Sequence, residues 1–431
     1  MNICQLFKAT RNIFFAFILA FVAFCQVEAR DLYIANADTT GSENTKPHPN
    51  TVAYSSGKSF FGHVLATPSY LFHWATRPLG WGIKFSEQKL PQLLQGERGP
   101  YGVYPLFELG GDALGAYGLL LYHNKLTRYN HKARIEALFG SENYNDFDFE
   151  YTIPKAGSDR SRVELDASYS NDPIKSFYGD NDSRLSAENI YATENLEIDA
   201  VYSILLSEKI DLSLLTGYQK MDIKESESDD ADELPSIPGE RRGTSTLYSL
   251  GSSVRFDFAE GTPRIFSGSR YLAALQWYHS LTDGEFHYLQ YSFEWQQFIP
   301  LKFLTNERRF AFKGSLKKTA PLAGKSIPFF KKPGLGSSYD LRGFQSDRFQ
   351  DDGSLLLTLE YRYPLWNFAD ITLFVDEGQV FSRYSDISIP DFHTSYGFGF
   401  HLISSKGFAF RSEFAFSKES SRVILSINPN F

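Results

Sequence analysis

One arginine and two carboxylates near the end of the chain are of the types that form an ion-pair network. Arg342 lies in the long connection 319–353, and Glu360 and Asp376 lie in two segments that follow it. A guanidinium presents its N–H donors in a planar fork that suits carboxylates. If the connection folds towards an acidic interior, Arg342 is expected to pair with carboxylates there. A solvated loop arginine is the alternative.

The sequence singles out no catalytic or metal site. Residues 334–338 lack the spacing of a G-x-S-x-G nucleophile elbow, and there is no H-E-x-x-H motif. His279 and His287 flank a short hairpin and are interpreted as polar residues at a wet rim. We therefore expect no enzymatic activity, no cofactor and no metal. A lipolytic barrel would need a Ser/His/acid set at the lipid boundary and stays open as an alternative.

Alternation of apolar and polar residues from about residue 101 onward indicates β-strands. In 161–170, four apolar side chains share one face, and Arg162, Glu164 and Asp166 share the other. No helix-length interruption separates such segments, so neighbours are expected to be antiparallel. The sixteen candidate strands are 101–109, 114–123, 131–139, 145–153, 161–170, 191–204, 209–220, 244–257, 269–280, 284–299, 307–318, 354–363, 368–377, 393–402, 407–416 and 421–428.

Charged residues keep to one face of these segments, as Arg134, Glu136, Lys313 and Glu413 do. In a membrane barrel, the apolar face meets lipid and the charged face lines the lumen. A lipid-facing Arg or Lys at mid-depth costs about 2–4 kcal/mol, which explains the segregation. We predict an all-β fold, a 16-stranded antiparallel transmembrane β-barrel over residues 101–431. A water-soluble all-β protein is the alternative.

The N-terminal hundred residues have a different character. Residues 13–25 form an apolar run that is too short to span a bilayer, since a spanning helix needs roughly 20 residues. Lys8 and Arg11 precede this run, and Ala29 occupies a cleavage position, so 1–29 is predicted to be a cleaved signal peptide. Residues 30–100 are polar and interrupted by proline. They are predicted to be a periplasmic leader, irregular or with short interfacial helices.

Charge and connection lengths give a location and an orientation. The net charge of −8 disfavours a nucleic-acid partner. The long connections 171–190, 221–243, 319–353 and 378–392 all join an odd strand to an even one, so they are predicted to be extracellular. The chain ends in Phe431 after an alternating strand, which is similar to the sorting signal of bacterial outer-membrane barrels. The expected location is the outer membrane of a Gram-negative cell.

Residues 341–378 carry a resemblance to the C-terminal barrel of the BamA/TamA outer-membrane superfamily, the bacterial surface antigen domain. Their motif positions are Leu341, Arg342, Gly343 and Phe344 in a [V/I/L]-R-G-[F/Y] tetrad, Glu360, Arg362 and Pro364 in an E-[Y/F]-R-x-P strand, and Asp376 and Gly378 in an F-x-D-x-G strand. The resemblance implies that Arg342 packs against acidic residues of the inner wall, with Glu360 and Asp376 as its partners. We expect Gly343 to permit a sharp turn and Phe344 to anchor the loop by burying its ring.

The same resemblance implies a function. Members insert barrels into the outer membrane or move polypeptides and lipids across it, and most carry periplasmic POTRA repeats. Residues 30–100 lack the POTRA pattern, so a POTRA-less branch is expected. The implied partners are outer-membrane lipids, an unfolded outer-membrane or secreted protein client, and a separate periplasmic protein. In relatives the first and last strands form a weak seam, here 101–109 against 421–428. A passive diffusion pore or a surface adhesin is the first alternative.

Overall fold

The computed structural model describes residues 100–109, 115–140, 143–179, 189–226, 243–262, 265–282, 284–301, 308–366, 369–403 and 409–428. Within these ranges no helix is long and apolar enough to cross a membrane. The predicted signal peptide, nearly all of the predicted leader, and Phe431 lie outside the described residues.

Sixteen barrel strands make up one antiparallel sheet in the described part of the chain, and a further short strand, Glu260–Thr262, pairs with the ninth of them over three residue pairs. The barrel strands are β1 Tyr101–Leu109, β2 Ala116–His123, β3 Lys132–Gly140, β4 Asn145–Pro154, β5 Ser161–Phe177, β6 Asn189–Ser207, β7 Ile210–Glu225, β8 Gly243–Asp257, β9 Ile265–Ser280, β10 His287–Pro300, β11 Arg309–Pro321, β12 Gly353–Trp366, β13 Ala369–Phe381, β14 His393–Ile403, β15 Ala409–Phe416 and β16 Ser421–Asn428. Each strand pairs with the next, and β16 pairs with β1. The sheet therefore closes into a barrel.

The two faces of the barrel differ as the alternation predicts. Val103, Leu119 and Leu373 project outward and are 55%, 52% and 51% exposed, which suits side chains that meet lipid. Asp376 and Glu413 project inward and are at most 1% exposed. The structure confirms the predicted fold class, a 16-stranded antiparallel barrel of the outer-membrane type.

The ladder that closes the barrel is short in the described residues. It pairs Phe107–Leu109 with Leu425–Ile427, which is three residue pairs. By contrast, eight pairs join β1 to β2, and eight join β15 to β16. Every other pair of neighbouring barrel strands is joined by a longer described ladder than β1 and β16 are.

Several strands run further than the sequence predicts. β5 continues to Phe177 instead of residue 170, and β7 continues to Glu225 instead of residue 220. Polar residues and Pro173 hide the alternation, and the β5–β6 ladder shifts register between Asp172 and Lys175. The prediction that all of 171–190 and 221–243 is loop was therefore wrong.

The extended strands contact the connection 322–352, which we call the lumen loop. Phe177 and Tyr191 lie edge-on to Phe329 of this loop, with ring centroids 5.1 and 5.4 Å apart. Met221 and Ile223 complete the buried cluster. The extended ends of β5–β7 are thus paired with one another and also pack against a segment far away in sequence.

Candidate functional site

The lumen loop narrows to a compact tip. Its two arms pair as short strands, Gly334–Leu335 with Phe349–Gln350. Between these two short strands along the chain, the N–H of Asp347 donates to the carbonyl of Gly336 at 2.8 Å. Leu341 takes a left-handed backbone conformation, with φ 39°, and this turn aims the next residue at the barrel wall. That residue is Arg342.

Arg342 contacts carboxylates on three strands. Its Nη2 and Nε donate to Oδ1 and Oδ2 of Asp376 on β13, at 2.8 and 3.0 Å. Its Nη1 donates to Oε1 of Glu360 on β12 at 2.9 Å and to Oε1 of Glu413 on β15 at 3.3 Å. The guanidinium also lies over the ring of Phe374, 3.4 Å from its centroid. One loop side chain thus joins three strands of the inner wall.

The network is almost fully withdrawn from water. Arg342 is 3% exposed and Asp376 is 0% exposed. Burial alone would lower the pKa of Arg342, but the carboxylates of Asp376 and Glu360 outweigh it and raise the pKa, so the guanidinium stays charged. Arg362 also donates to Glu360 at 2.7 Å. Buried charges of both signs are therefore brought together, as low-polarity surroundings require.

Gly343 and Phe344 extend the contact to the strands that follow. The N–H of Gly343 donates to Oγ of Ser395 at 2.7 Å. Phe344 is fully buried, and its ring lies against Phe349 and His393, with centroids 5.0 and 5.9 Å away. Leu341, which is also fully buried, belongs to the same apolar cluster.

The reason for a glycine at 343 differs from the expected one. The positive φ of this turn belongs to Leu341, not to Gly343. A Cβ built on Gly343 would lie 2.7 Å from the carbonyl carbon and oxygen of Phe416, and 3.0 Å from Oγ of Ser395. Gly343 does lie in a sharp turn, closed by the N–H of Phe344 on the carbonyl of Leu341 at 2.8 Å, but what requires a glycine there is the close approach to β15.

The remaining motif residues support this arrangement from the wall. A Cβ on Gly378 would lie 3.0 Å from the side chains of Leu335 and Leu341, so its absence leaves room for the loop tip. Pro364 pairs with Asp370 immediately before a register shift in the β12–β13 ladder. Phe431 lies outside the described residues.

Several residues at the site were not assigned to it from the sequence. Glu413 was placed on the lumen face, but nothing in its spacing brought it to Arg342. Thr358 donates to Oδ1 of Asp376 at 3.0 Å, and His401 hydrogen-bonds with Glu413 at 2.8 Å. Strand alternation gives the face of such residues. Their mutual distances depend on the register of the closed barrel.

The arrangement is suited to holding a segment in place. Among the described residues there is no group of three or more His, Cys, Asp or Glu side chains that could hold a metal ion. The pair considered from the sequence, His279 and His287, lies with ring centroids 5.4 Å apart, and Nε1 of Trp277 donates to His287 at 2.7 Å. The chemistry of the Arg342 network is charge pairing between a loop and a wall.

Comparisons with known proteins agree with the barrel. The Omp85 superfamily domain model matches residues 128–423. BamA from Haemophilus ducreyi lacking POTRA domains 1–3 is 14% identical over 80% of this chain and 78% of that chain, with a TM-score of 0.56. No curated protein matches this chain in sequence.

Two further solved structures are similar. CdiB from Acinetobacter baumannii is 10% identical over 76% of this chain and 59% of its own, with a TM-score of 0.51. CdiB from Escherichia coli is 12% identical over 77% and 63%, with a TM-score of 0.52. This chain thus spans less than two thirds of the CdiB chains. At such identities the likeness shows the fold alone.

Proposed function

Since this chain belongs to the Omp85 superfamily, we propose that its outer-membrane barrel assists the insertion or translocation of polypeptides, or the movement of lipid, at the seam between β1 and β16. In this proposal the lumen loop acts as a latch, which here means a segment that Arg342 holds against the barrel wall. The observation that carries it is the attachment of Arg342 to three wall strands while the seam has three described residue pairs. A barrel is suited to opening between its first and last strands when these share a short ladder and the lumen loop is firmly attached to the inner wall elsewhere.

Each motif residue has a part in this proposal. Arg342 is the latch, Glu360 and Asp376 are its receptors, and Leu341 and Phe344 bury the tip beside it. Gly343 and Gly378 permit the close approach. Arg362 neutralises charge at Glu360, and Pro364 shapes the β12–β13 ladder near its end. Phe431 serves as a sorting signal at the C-terminus.

The rest of the chain is assigned by the same proposal. Residues 1–29 are a cleaved signal peptide, 30–100 a periplasmic leader and 101–431 the barrel domain, in the outer membrane of a Gram-negative cell. The partners are outer-membrane lipids, an unfolded outer-membrane or secreted protein, and a separate periplasmic protein. The activity is assembly or transport, without an enzymatic step.

The experiment deletes the gene and complements it with the wild type or with Arg342→Ala. We expect deletion to alter the outer-membrane proteome or the lipid asymmetry, and the variant to complement less well at equal abundance. The matched control is Arg383→Ala, since Arg383 is exposed and pairs with Asp386 in an extracellular turn. An unchanged proteome and lipid asymmetry after deletion, with a steady open conductance of the purified protein in planar bilayers, would instead indicate a passive pore. Lipase activity of the purified protein would indicate an enzyme.

A further inference from the structure

The last hairpin of the barrel binds the backbone of the lumen-loop tip. Ser420, in the turn between β15 and β16, donates its hydroxyl to the carbonyl of Gly343 at 2.6 Å. Arg422, on β16, donates Nη1 to the carbonyl of Phe344 and, at 3.4 Å, to that of Ser337. The two residues that follow Arg342 in the tip thus give their carbonyls to the hairpin.

A second contact reinforces this one through charge. Glu419, in the same turn, accepts from Nε and Nη2 of Arg348 at 2.7 and 3.2 Å. The forked contact holds the returning arm of the loop against the turn. With Gly343 also lying against the Phe416 carbonyl, the hairpin meets the loop at its turn and on both flanking strands.

The hairpin that binds the loop also forms one side of the seam. Arg422 and Leu425 lie close together on β16. The described pairing of β16 with β1 begins at Leu425. The other side of β16 is held by an eight-pair ladder to β15. Because a paired strand moves as a unit, an anchor at Ser420 and Arg422 limits the displacement of β16 as a whole.

We propose that Ser420 and Arg422 are positioning residues that couple the latch to the seam. While Arg342 holds the loop tip against β12 and β13, the tip offers two carbonyls that fix the extracellular end of β16. When the tip withdraws, Ser420 and Arg422 lose these two carbonyls, and the described ladder that holds β16 beside β1 is three residue pairs long. This coupling rests on the proposed function for its biological meaning, but it is a statement about the barrel that can be measured alone.

The test is a disulfide across the seam. Glu108 and Ser426 are directly paired on β1 and β16, a spacing that accommodates a disulfide. The Glu108→Cys/Ser426→Cys pair is made in a chain with Cys4→Ser and Cys25→Ser, and its rate of formation under mild oxidation is measured in the folded full chain. The matched pair is Ser203→Cys/Ser213→Cys between β6 and β7, where the two hydroxyl oxygens lie 2.9 Å apart.

We expect Arg422→Ala to slow cross-linking at the seam several-fold and the Ser420→Ala/Arg422→Ala double variant to slow it further, with the β6–β7 pair unchanged. Arg422→Lys, which keeps a charged donor, should recover part of the rate. Seam cross-linking at the wild-type rate in Arg422→Ala would overturn the coupling, and so would an equal loss at both pairs, which reports general loosening. If the seam responds as expected but the oxidised seam pair still complements the gene deletion fully, the coupling stands and the proposed function fails.

Discussion

Arg342 and Asp376 meet in a two-pronged contact, with Nη2 to Oδ1 at 2.8 Å and Nε to Oδ2 at 3.0 Å, and the N–H of Arg342 adds a third bond to Oδ2 at 3.2 Å. The side chain and the backbone of the arginine are therefore fixed by one carboxylate. This is more than charge neutralisation, because the contact sets the position of the loop tip as well as its charge. This contact gives the loop tip a geometrically defined position on the wall.

The three carboxylates around Arg342 should contribute unequally. Asp376 accepts three bonds from Arg342 at 2.8–3.2 Å, whereas Glu413 accepts two longer ones from Nη1, at 3.3 and 3.5 Å. Breaking a buried pair leaves an unpaired charge and costs about 3–5 kcal/mol. We expect Asp376→Asn to lower the temperature of the folded-to-unfolded gel-mobility shift more than Glu413→Gln. Asp159→Asn is the control, because Asp159 pairs with Lys155 on the surface at 84% exposure and such pairs contribute little. Equal shifts for the two buried variants would contradict the ranking.

A methyl group at position 343 should displace the loop tip. Its Cβ would lie 2.7 Å from backbone atoms of Phe416, which cannot move without disturbing β15. We therefore expect Gly343→Ala to increase hydrogen exchange of the tip amides. Gly115→Ala is the matched control, because nothing lies within 4 Å of a Cβ there. Exchange that is unchanged in Gly343→Ala would show that β15 yields to the methyl group.

The ring of Phe344 should supply much of the apolar part of the attachment. It is fully buried between Phe349 and His393, and truncating such a ring costs about 3–5 kcal/mol. We expect Phe344→Ala to lower the temperature of the mobility shift and Phe344→Leu to lower it less. If both variants show the mobility shift at the wild-type temperature, the ring does not contribute to the attachment.

Acidification should tighten the loop tip slightly through Asp340. Burial raises the pKa of its carboxyl above the usual value, although the N–H of Gly336 acts in the opposite direction. A raised folded-state pKa means that the docked loop favours the protonated acid. Docking therefore becomes more favourable as the pH falls through that raised pKa towards the ordinary carboxyl value, and it loses this gain as the pH rises back through it.

Asp340→Asn tests this pH dependence, because the amide keeps an acceptor for the Gly336 N–H but does not titrate. We expect the wild type to show more slowly exchanging tip amides, after correction for intrinsic exchange, at mildly acidic pH than at neutral pH. The variant should show a smaller difference. The same pH response in both proteins would assign it to another group.

The barrel fold, and the face of each strand on which a residue lies, could be predicted from the sequence. Alternation placed Glu360, Asp376 and Glu413 on the inner wall, because a lipid-facing charge is costly and the pattern is therefore strict. The resemblance of the tetrad supplied the pairing of Arg342 with two of them. These are local signals, each contained in one strand or one loop.

The contacts that sequence reasoning missed are those made across the closed barrel. Gly343 and Ser395 are 52 residues apart, and Gly343 and Ser420 are 77 apart. In the sequence, Ser395, Ser420 and Arg422 look like ordinary polar residues. Their contacts with the loop tip depend on the strand register and on the folding of the loop into the lumen. The last part of β5 was missed for a similar reason, since Phe177 packs on Phe329 of the lumen loop, far away in sequence.

The most direct test of the latch is limited trypsin digestion of the folded protein. The lumen loop carries half-buried trypsin sites at Lys331 and Arg348. We expect the wild type to resist cleavage at these sites, Arg342→Ala to be cut within 322–352 while the barrel strands stay intact, and Arg342→Lys to fall between them. Equal resistance of the wild type and Arg342→Ala would contradict the claim that this arginine holds the loop inside the barrel.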